Sequence, residues 1–126
     1  MIDCIFLKKL GSLLINYLHH EVFLINEGQF FGDIVEVVKT LVDIHNKKVY
    51  ICGLDGDYRR NKFGKLLDLI PLCDKVVKRN AICKMCKNGT RGIFTKRLTD
   101  EKNQKIIGSE NYIPICRKCF FKNDLN

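Results

Sequence analysis

The 126-residue sequence predicts an α/β fold, a partial parallel sheet with flanking helices, followed by a small cysteine-built module at the C-terminal end. Three observations predict it. Two four-residue runs, Val22-Phe-Leu-Ile25 and Val49-Tyr-Ile-Cys52, are apolar throughout and are followed by turn residues. Strands without a polar position suit a parallel sheet buried on both faces. Between the runs, apolar residues recur at the three- and four-residue spacing of a helix with one buried face. Finally, four of the seven cysteines stand in two C-x2-C pairs, Cys83/Cys86 and Cys116/Cys119.

Residues 4–18 read as an amphipathic helix, apolar but interrupted by Lys8, Lys9 and Gly11. The stretch is too short to span a bilayer and has no small-residue cleavage signal. After the first strand, Phe31, Ile34, Val35, Val38, Leu41, Val42 and His45 mark a helix. It ends at Asn46-Lys47-Lys48, where lysines complement the negative end of the helix dipole. With the second strand this makes a right-handed βαβ unit. A short helix near 63–69 is expected to cover the sheet, and Lys75-Val-Val-Lys78 to add a third strand. Between the cysteine pairs, 93–97 and 105–108 read as the strands of a hairpin turned by 98–104, with 108–116 a loop anchored at its far end. Asn88-Gly89-Thr90 matches a glycosylation sequon, but in a cytosolic chain it reads as a turn.

Each C-x2-C turn presents two sulfurs on one side of a short loop, and Zn²⁺ takes four thiolates in a tetrahedron. With all four positions filled by sulfur, no place remains for a water, so such a zinc is structural. Disulfides and free thiols are the other readings of the same pairs. Cys4, Cys52 and Cys73 lie in apolar runs and are expected to be buried free thiols. An odd count of seven fits a reducing, cytoplasmic compartment.

Charge divides unevenly along the chain. Residues 1–74 carry 9 Lys+Arg against 10 Asp+Glu, and residues 75–126 carry 13 against 4. The shift places a domain boundary near residue 75, giving domains of 1–79 and 80–126. A basic zinc module invites a nucleic-acid reading. The basic residues are scattered, however, with few aromatics between them, so a solvated surface or a phosphate-bearing ligand ranks ahead of nucleic acid.

In open parallel sheets, ligands bind beyond the carboxyl ends of the strands. The first strand leads into Asn26-Glu-Gly-Gln-Phe-Phe31, and the second into Gly53-Leu-Asp-Gly-Asp-Tyr-Arg-Arg60. A polar residue and then an acid at the end of a buried strand is the Walker-B arrangement of nucleotide hydrolases and kinases.

These stretches, with Leu69-Ile-Pro-Leu72, Val76-Val-Lys78, Ala81-Ile-Cys-Lys-Met-Cys86, Thr95-Lys-Arg-Leu98, Ile107-Gly108 and Tyr112-Ile-Pro-Ile-Cys-Arg-Lys-Cys119, run in one order across about residues 20–120. In that order they resemble the type II, zinc-containing thymidine kinases. The resemblance implies a P-loop-type sheet, a zinc-ribbon and lasso domain, and transfer of the γ-phosphoryl of ATP to the 5′-hydroxyl of thymidine. It implies that Glu27 is the general base and that Arg60 positions the phosphates. Phe30, Leu54, Tyr58 and Phe63 would wall the thymine pocket. Ile106, Gly108 and Tyr112 would belong to the lasso that reads the base. Asn26 and Gln29 would face the metal–nucleotide cofactor, and Cys83, Cys86, Cys116 and Cys119 would hold Zn²⁺. It also implies a cytoplasmic homo-oligomer, tetramer or dimer, with no membrane partner.

Two departures stand out. Asn26 occupies the position of the family's Mg²⁺-associated aspartate, and an amide is a neutral, weaker ligand. No G-x4-G-K-[ST] occurs: the single Gly-Lys, Gly64-Lys65, continues with Leu66. The sequence as it stands is therefore expected to make a poor or inactive kinase, and to leave apolar surface exposed on the two strands. The alternative reading is a non-catalytic zinc-ribbon module that binds nucleosides or nucleic acid.

Overall fold

The computed structural model describes residues 2, 4–98 and 111–122, and it is a mixed α/β fold. The chain forms two compact units. The first comprises Met1–Asp55 and Lys62–Val76, and the second Gly56–Asn61 and Val77–Asn126.

The first unit is the βαβ unit expected from the sequence. Strand β1 (Val22–Ile25) pairs in parallel with β2 (Lys48–Ile51), Val22 opposite Lys48 and Ile25 opposite Ile51. Helix α1 (Ser12–Asn16) precedes β1; helix α2 (Ile34–Lys39) connects the strands and continues through a π-turn at Thr40–Ile44. The crossover ends where Asn46 turns left-handed (φ 53°) and the Lys47 N–H reaches back to the Leu41 carbonyl at 2.9 Å. This is the way a helix end satisfies its last carbonyls. Ile34 and Leu41 are fully buried, and Phe23, Ile25, Val37, Leu10 and Leu13 pack around them.

Several expectations are corrected here. The helix foreseen over 4–18 is confined to Ser12–Asn16. Its start is set by tertiary contact: the Asp33 carboxylate accepts the N–H groups of Leu10 (3.2 Å) and Gly11 (2.9 Å). The helix expected near 63–69 is a 3-10 segment, Leu66–Leu72. Residues 75–78 form no strand; Val76 and Val77 are exposed, and the flanking lysines favour water over a sheet. β1 is buried on one face only, not on both, and the apolar surface expected to be exposed on the strands is present. Phe23 and Ile25 point into the core while Val22 and Leu24 are exposed, as is Tyr50 on β2. Successive side chains on a strand alternate faces, and the helical layer among the described residues lies on one of them. Cys4, Cys52 and Cys73 are exposed rather than buried, because each sits in a segment outside the packed faces.

The second unit is built from short pieces. Strands β3 (Ala81–Ile82) and β4 (Arg91–Gly92) form one antiparallel hairpin. Its tip is a turn at the expected place, where the Asn88 side-chain oxygen accepts both the N–H and the hydroxyl of Thr90, at 3.2 and 2.6 Å. Strand β5 (Phe94–Arg97) pairs antiparallel with β6 (Tyr112–Ile115), Phe94 opposite Ile115 and Arg97 opposite Tyr112. Helix α3 (Arg117–Lys122) closes the unit. The hairpin partner of β5 is thus 112–115, part of the segment expected to be a loop, while 105–108 lie outside the described residues. The Lys84 N–H donates to the Pro114 carbonyl at 3.0 Å, so β6 is held from the cysteine side as well.

Candidate functional site

The cysteine cluster is assembled by the ends of two elements. Cys83 follows β3 and Cys86 lies in the turn after it; Cys116 follows β6 and Cys119 sits on α3. All four sulfurs lie within 4.8 Å of one another. Cys86 Sγ is 3.5 Å from Cys119 Sγ and 3.7 Å from Cys116 Sγ. A metal–sulfur bond of about 2.3 Å in a tetrahedron sets its sulfurs about 3.8 Å apart, so the spacing fits such an ion. Cys83 and Cys116 are buried, with Ile115 and the half-buried Phe94 and Phe120 around them.

The electrostatics of the cluster point the same way. Burial pushes the Cys83 thiol up, but the N–H groups of Cys86, Cys116 and Met85 outweigh it and bring it down to about 6. The Cys119 thiol is pushed up to about 12, first by its hydrogen bond to Cys86 and then by burial. One sulfur is prepared as a thiolate while its neighbour resists a second negative charge beside it. A cation among the four removes that conflict. The cluster can therefore hold a metal ion with tetrahedral, thiolate preference.

The strand ends form a second constellation, within the first unit. Beyond β1 the chain turns sharply at Glu27, which is left-handed (φ 55°), and Gly28 donates its N–H to the Cys52 carbonyl at 3.0 Å. The two strand tips are thereby tied together. The Glu27 carboxylate is exposed to solvent and accepts a hydrogen bond from Gln29 Nε2 at 2.6 Å. Gln29 Oε1 accepts the N–H of Leu54 at 3.1 Å. Gln29 is 2 % exposed, and its amide is engaged within the protein at both ends. Asn26 is exposed, and its side-chain oxygen lies 3.0 Å from the Cys52 sulfur. Phe30 meets the buried Phe63 edge-to-face, ring centroids 5.5 Å apart, and Leu54 stands half exposed beside the Gln29 bond.

Tyr58, Arg60 and Tyr112 belong to the second unit. The loop carrying the first two is wound around the buried Asp57, whose carboxylate accepts the N–H groups of Arg59 and Asn61, both at 2.9 Å. Arg60 is left-handed (φ 65°), and its guanidinium stacks over Phe120 (4.9 Å), Phe121 (5.0 Å) and Phe94 (5.3 Å). Arg97 lies over Tyr58 at 3.8 Å and donates to the Tyr112 hydroxyl at 2.8 Å. Ile106 and Gly108 lie outside the described residues.

The structure thus gathers Asn26, Glu27, Gln29, Phe30, Leu54 and Phe63 in one unit, and Tyr58, Arg60, Tyr112 and the four cysteines in the other. Asp57 and Arg97 were not foreseen as contributors. An aspartate directly after Gly56, in a polar run, is a turn signal that could have marked Asp57. Arg97 carries no local signal, because its partners come from distant segments.

Comparison with known proteins bears on these arrangements. The thymidine kinase family model matches residues 9–120. A thymidine kinase of Oryza sativa subsp. japonica is 42 % identical over 106 residues, covering 83 % of this chain and 38 % of the relative. Cytosolic thymidine kinase of Gallus gallus is 38 % identical over 119 residues, 94 % of this chain and 48 % of the relative. Thymidine kinase of sheeppox virus is 40 % identical over 105 residues, 82 % and 58 % respectively. The chain spans about half the length of the curated relatives it matches. It belongs to the thymidine kinase family.

Proposed function

We propose that this member of the thymidine kinase family binds thymidine and serves the transfer of the γ-phosphoryl of ATP to its 5′-hydroxyl. The family match over residues 9–120 carries this reading. In phosphoryl transfer the 5′-oxygen attacks the γ-phosphorus, the bond to the leaving ADP oxygen breaks, and the hydroxyl proton leaves for a base. Glu27 is the base in this reading. It stands at the tip of β1, exposed to an incoming hydroxyl and able only to accept while ionised. Phe30, Phe63 and Leu54 offer apolar surface to a methyl-bearing pyrimidine; Tyr58, Tyr112, Ile106 and Gly108 are assigned to the same ligand by the family resemblance alone.

Arg60 has the charge for a phosphate role, although its guanidinium is stacked on three phenylalanines, which makes it a brace for its own loop as well. ATP is accompanied by Mg²⁺, to which Asn26 offers a neutral oxygen. Cys83, Cys86, Cys116 and Cys119 would hold Zn²⁺, which would tie the ends of this unit together and, with four thiolates bound, would have no site left for substrate. Residues 1–79 are assigned to the kinase domain and 80–126 to the zinc-binding lasso domain. By the family resemblance the protein is assigned to the cytoplasm as a homo-oligomer. No described helix is long and apolar enough to cross a membrane.

Thermal unfolding with and without nucleoside tests the reading. Thymidine at a hundred times its dissociation constant should stabilise the protein by about 2.7 kcal/mol, with uridine far weaker. No shift with thymidine, together with DNA binding of steep salt dependence, would replace this reading with the polyanion one.

A further inference from the structure

We infer that Gln29 is the positioning residue for Glu27, and that it sets the distance between the acidic tip of β1 and the apolar tip of β2. The inference rests on the proposed role of Glu27 as the acceptor of the thymidine 5′-hydroxyl proton.

The chemistry of the three groups fixes the arrangement. A carboxylate can only accept and a backbone N–H can only donate. An amide placed between them has one self-consistent orientation, Nε2 toward Glu27 and Oε1 toward Leu54, which is the one observed at 2.6 and 3.1 Å. Glu27 itself is solvent-exposed on a left-handed residue, so its long side chain has several rotamers open to it. The short bond to a buried, immobile amide selects one of them, and a charge-assisted bond is among the stronger that a side chain makes.

The surroundings are shaped for this glutamine. A Cβ on Gly53 would strike Gln29 Oε1, and one on Gly64, left-handed at φ 58°, would strike the Gln29 backbone carbonyl. Gly28, just before Gln29, leaves no room either: its Cβ would lie 2.8 Å from Ile51 and 3.0 Å from Ile34. Gln29 is thereby closely packed at its backbone by Gly64 and at its amide by Gly53, with one hydrogen bond at each end of that amide.

Gln29→Glu separates the two bonds. It keeps the oxygen that accepts the Leu54 N–H but sets a second carboxylate against Glu27. Gln29→Met fills similar volume and removes both. The readout is the ratio of the dissociation constants of 5′-deoxythymidine and thymidine, measured by calorimetry at pH 8 on the full chain. With Glu27 held in place, thymidine should bind at least about tenfold tighter than the analogue that lacks the hydroxyl, the worth of one hydrogen bond to a charged group. In Gln29→Glu the ratio should fall toward one while 5′-deoxythymidine binds as before. In a Glu27→Ala background, Gln29→Glu should have no further effect on the ratio, since a positioning residue acts only through its client. A ratio unchanged in Gln29→Glu, or an effect that adds to that of Glu27→Ala, would overturn the inference.

A wild-type measurement covers the case in which the variants fail to fold. In nitrogen-edited spectra, one Gln29 side-chain amide proton should be shifted downfield and protected from solvent exchange, and both features should vanish in Glu27→Ala. An ordinary, rapidly exchanging Gln29 amide would overturn the inference by itself. A wild-type ratio of one, with that protected amide present, would instead sink the base assignment of Glu27 and leave the Gln29–Glu27 arrangement standing.

Discussion

The two units of this chain are held together by different physics. Among the described residues, the first has a continuous buried core of nine apolar side chains, whereas the second has Ile115 and two cysteines. Burying side chains such as Ile34, Leu41 and Phe23 contributes about 1.5–3 kcal/mol each before entropy is counted. A core of one isoleucine cannot match that, and two-residue strands such as β3 and β4 cannot stand alone. On the proposed reading of its four sulfurs as a metal site, the second unit would draw its order from the metal. On that reading the first unit rests on its apolar core and the second on the metal.

The largest effect expected from this contrast comes from metal removal. Structural zinc contributes about 10–16 kcal/mol in small thiolate modules. Chelation or Cys83→Ser should therefore unfold the second unit, collapsing the Phe94 and Phe120 ring signals toward random-coil shifts in the proton spectrum, while the dispersed methyl signals of Ile34 and Leu41 persist. Persistence of the Phe94–Phe120 contact after verified metal loss would break the comparison. Acid should act in the same direction. The Cys83 thiol lies well below its ordinary value of 9.0, so the stability it lends is complete above that value and is lost as pH falls through about 6. Cys119, pushed up to about 12, keeps its proton until the metal displaces it, so metal affinity should rise with pH. The absorption of a cobalt-substituted sample, followed from pH 8 to pH 5, reads both.

The next effect is expected in the first unit alone. Leu41 is fully buried between the crossover helix and the sheet. Leu41→Ala should cost about 2–5 kcal/mol in denaturant unfolding and leave one metal bound per chain. A loss of metal alongside would show that the units share their stability. Smaller again is Gly64→Ala, which forces a Cβ onto a left-handed residue against the Gln29 carbonyl. A cost of about 1–3 kcal/mol is expected, confined to the first unit. A neutral result would mean that the turn around Gln29 is not a tight junction.

Much of this architecture was legible in the residues alone, and for identifiable reasons. The βαβ unit was readable because period and composition are local properties: Val22–Ile25 is apolar at every position, and Ile34, Val38 and Leu41 fall on one helical face. The cysteine cluster was readable because C-x2-C spacing is itself a geometric statement about a turn. The partner of β5 was not readable. Nothing within Phe94–Arg97 distinguishes Tyr112–Ile115 from another apolar run, and the choice rests on the anchoring of β6 beside Cys116 and through Lys84. Nor was the length of α1, since the Asp33 carboxylate that fixes its start lies more than twenty residues away.

The sequence by itself determined the family, the strand–helix–strand order and the four cysteines that cluster, because these depend on residue type and spacing along one stretch of chain. Only the tertiary structure decided which face of β1 is buried, which strand β5 joins, that Arg60 is braced on three aromatic rings, and that Gln29 bridges Glu27 to Leu54. Each of these joins groups from separate segments, and a hydrogen bond or a packed face is fixed by where atoms meet in space.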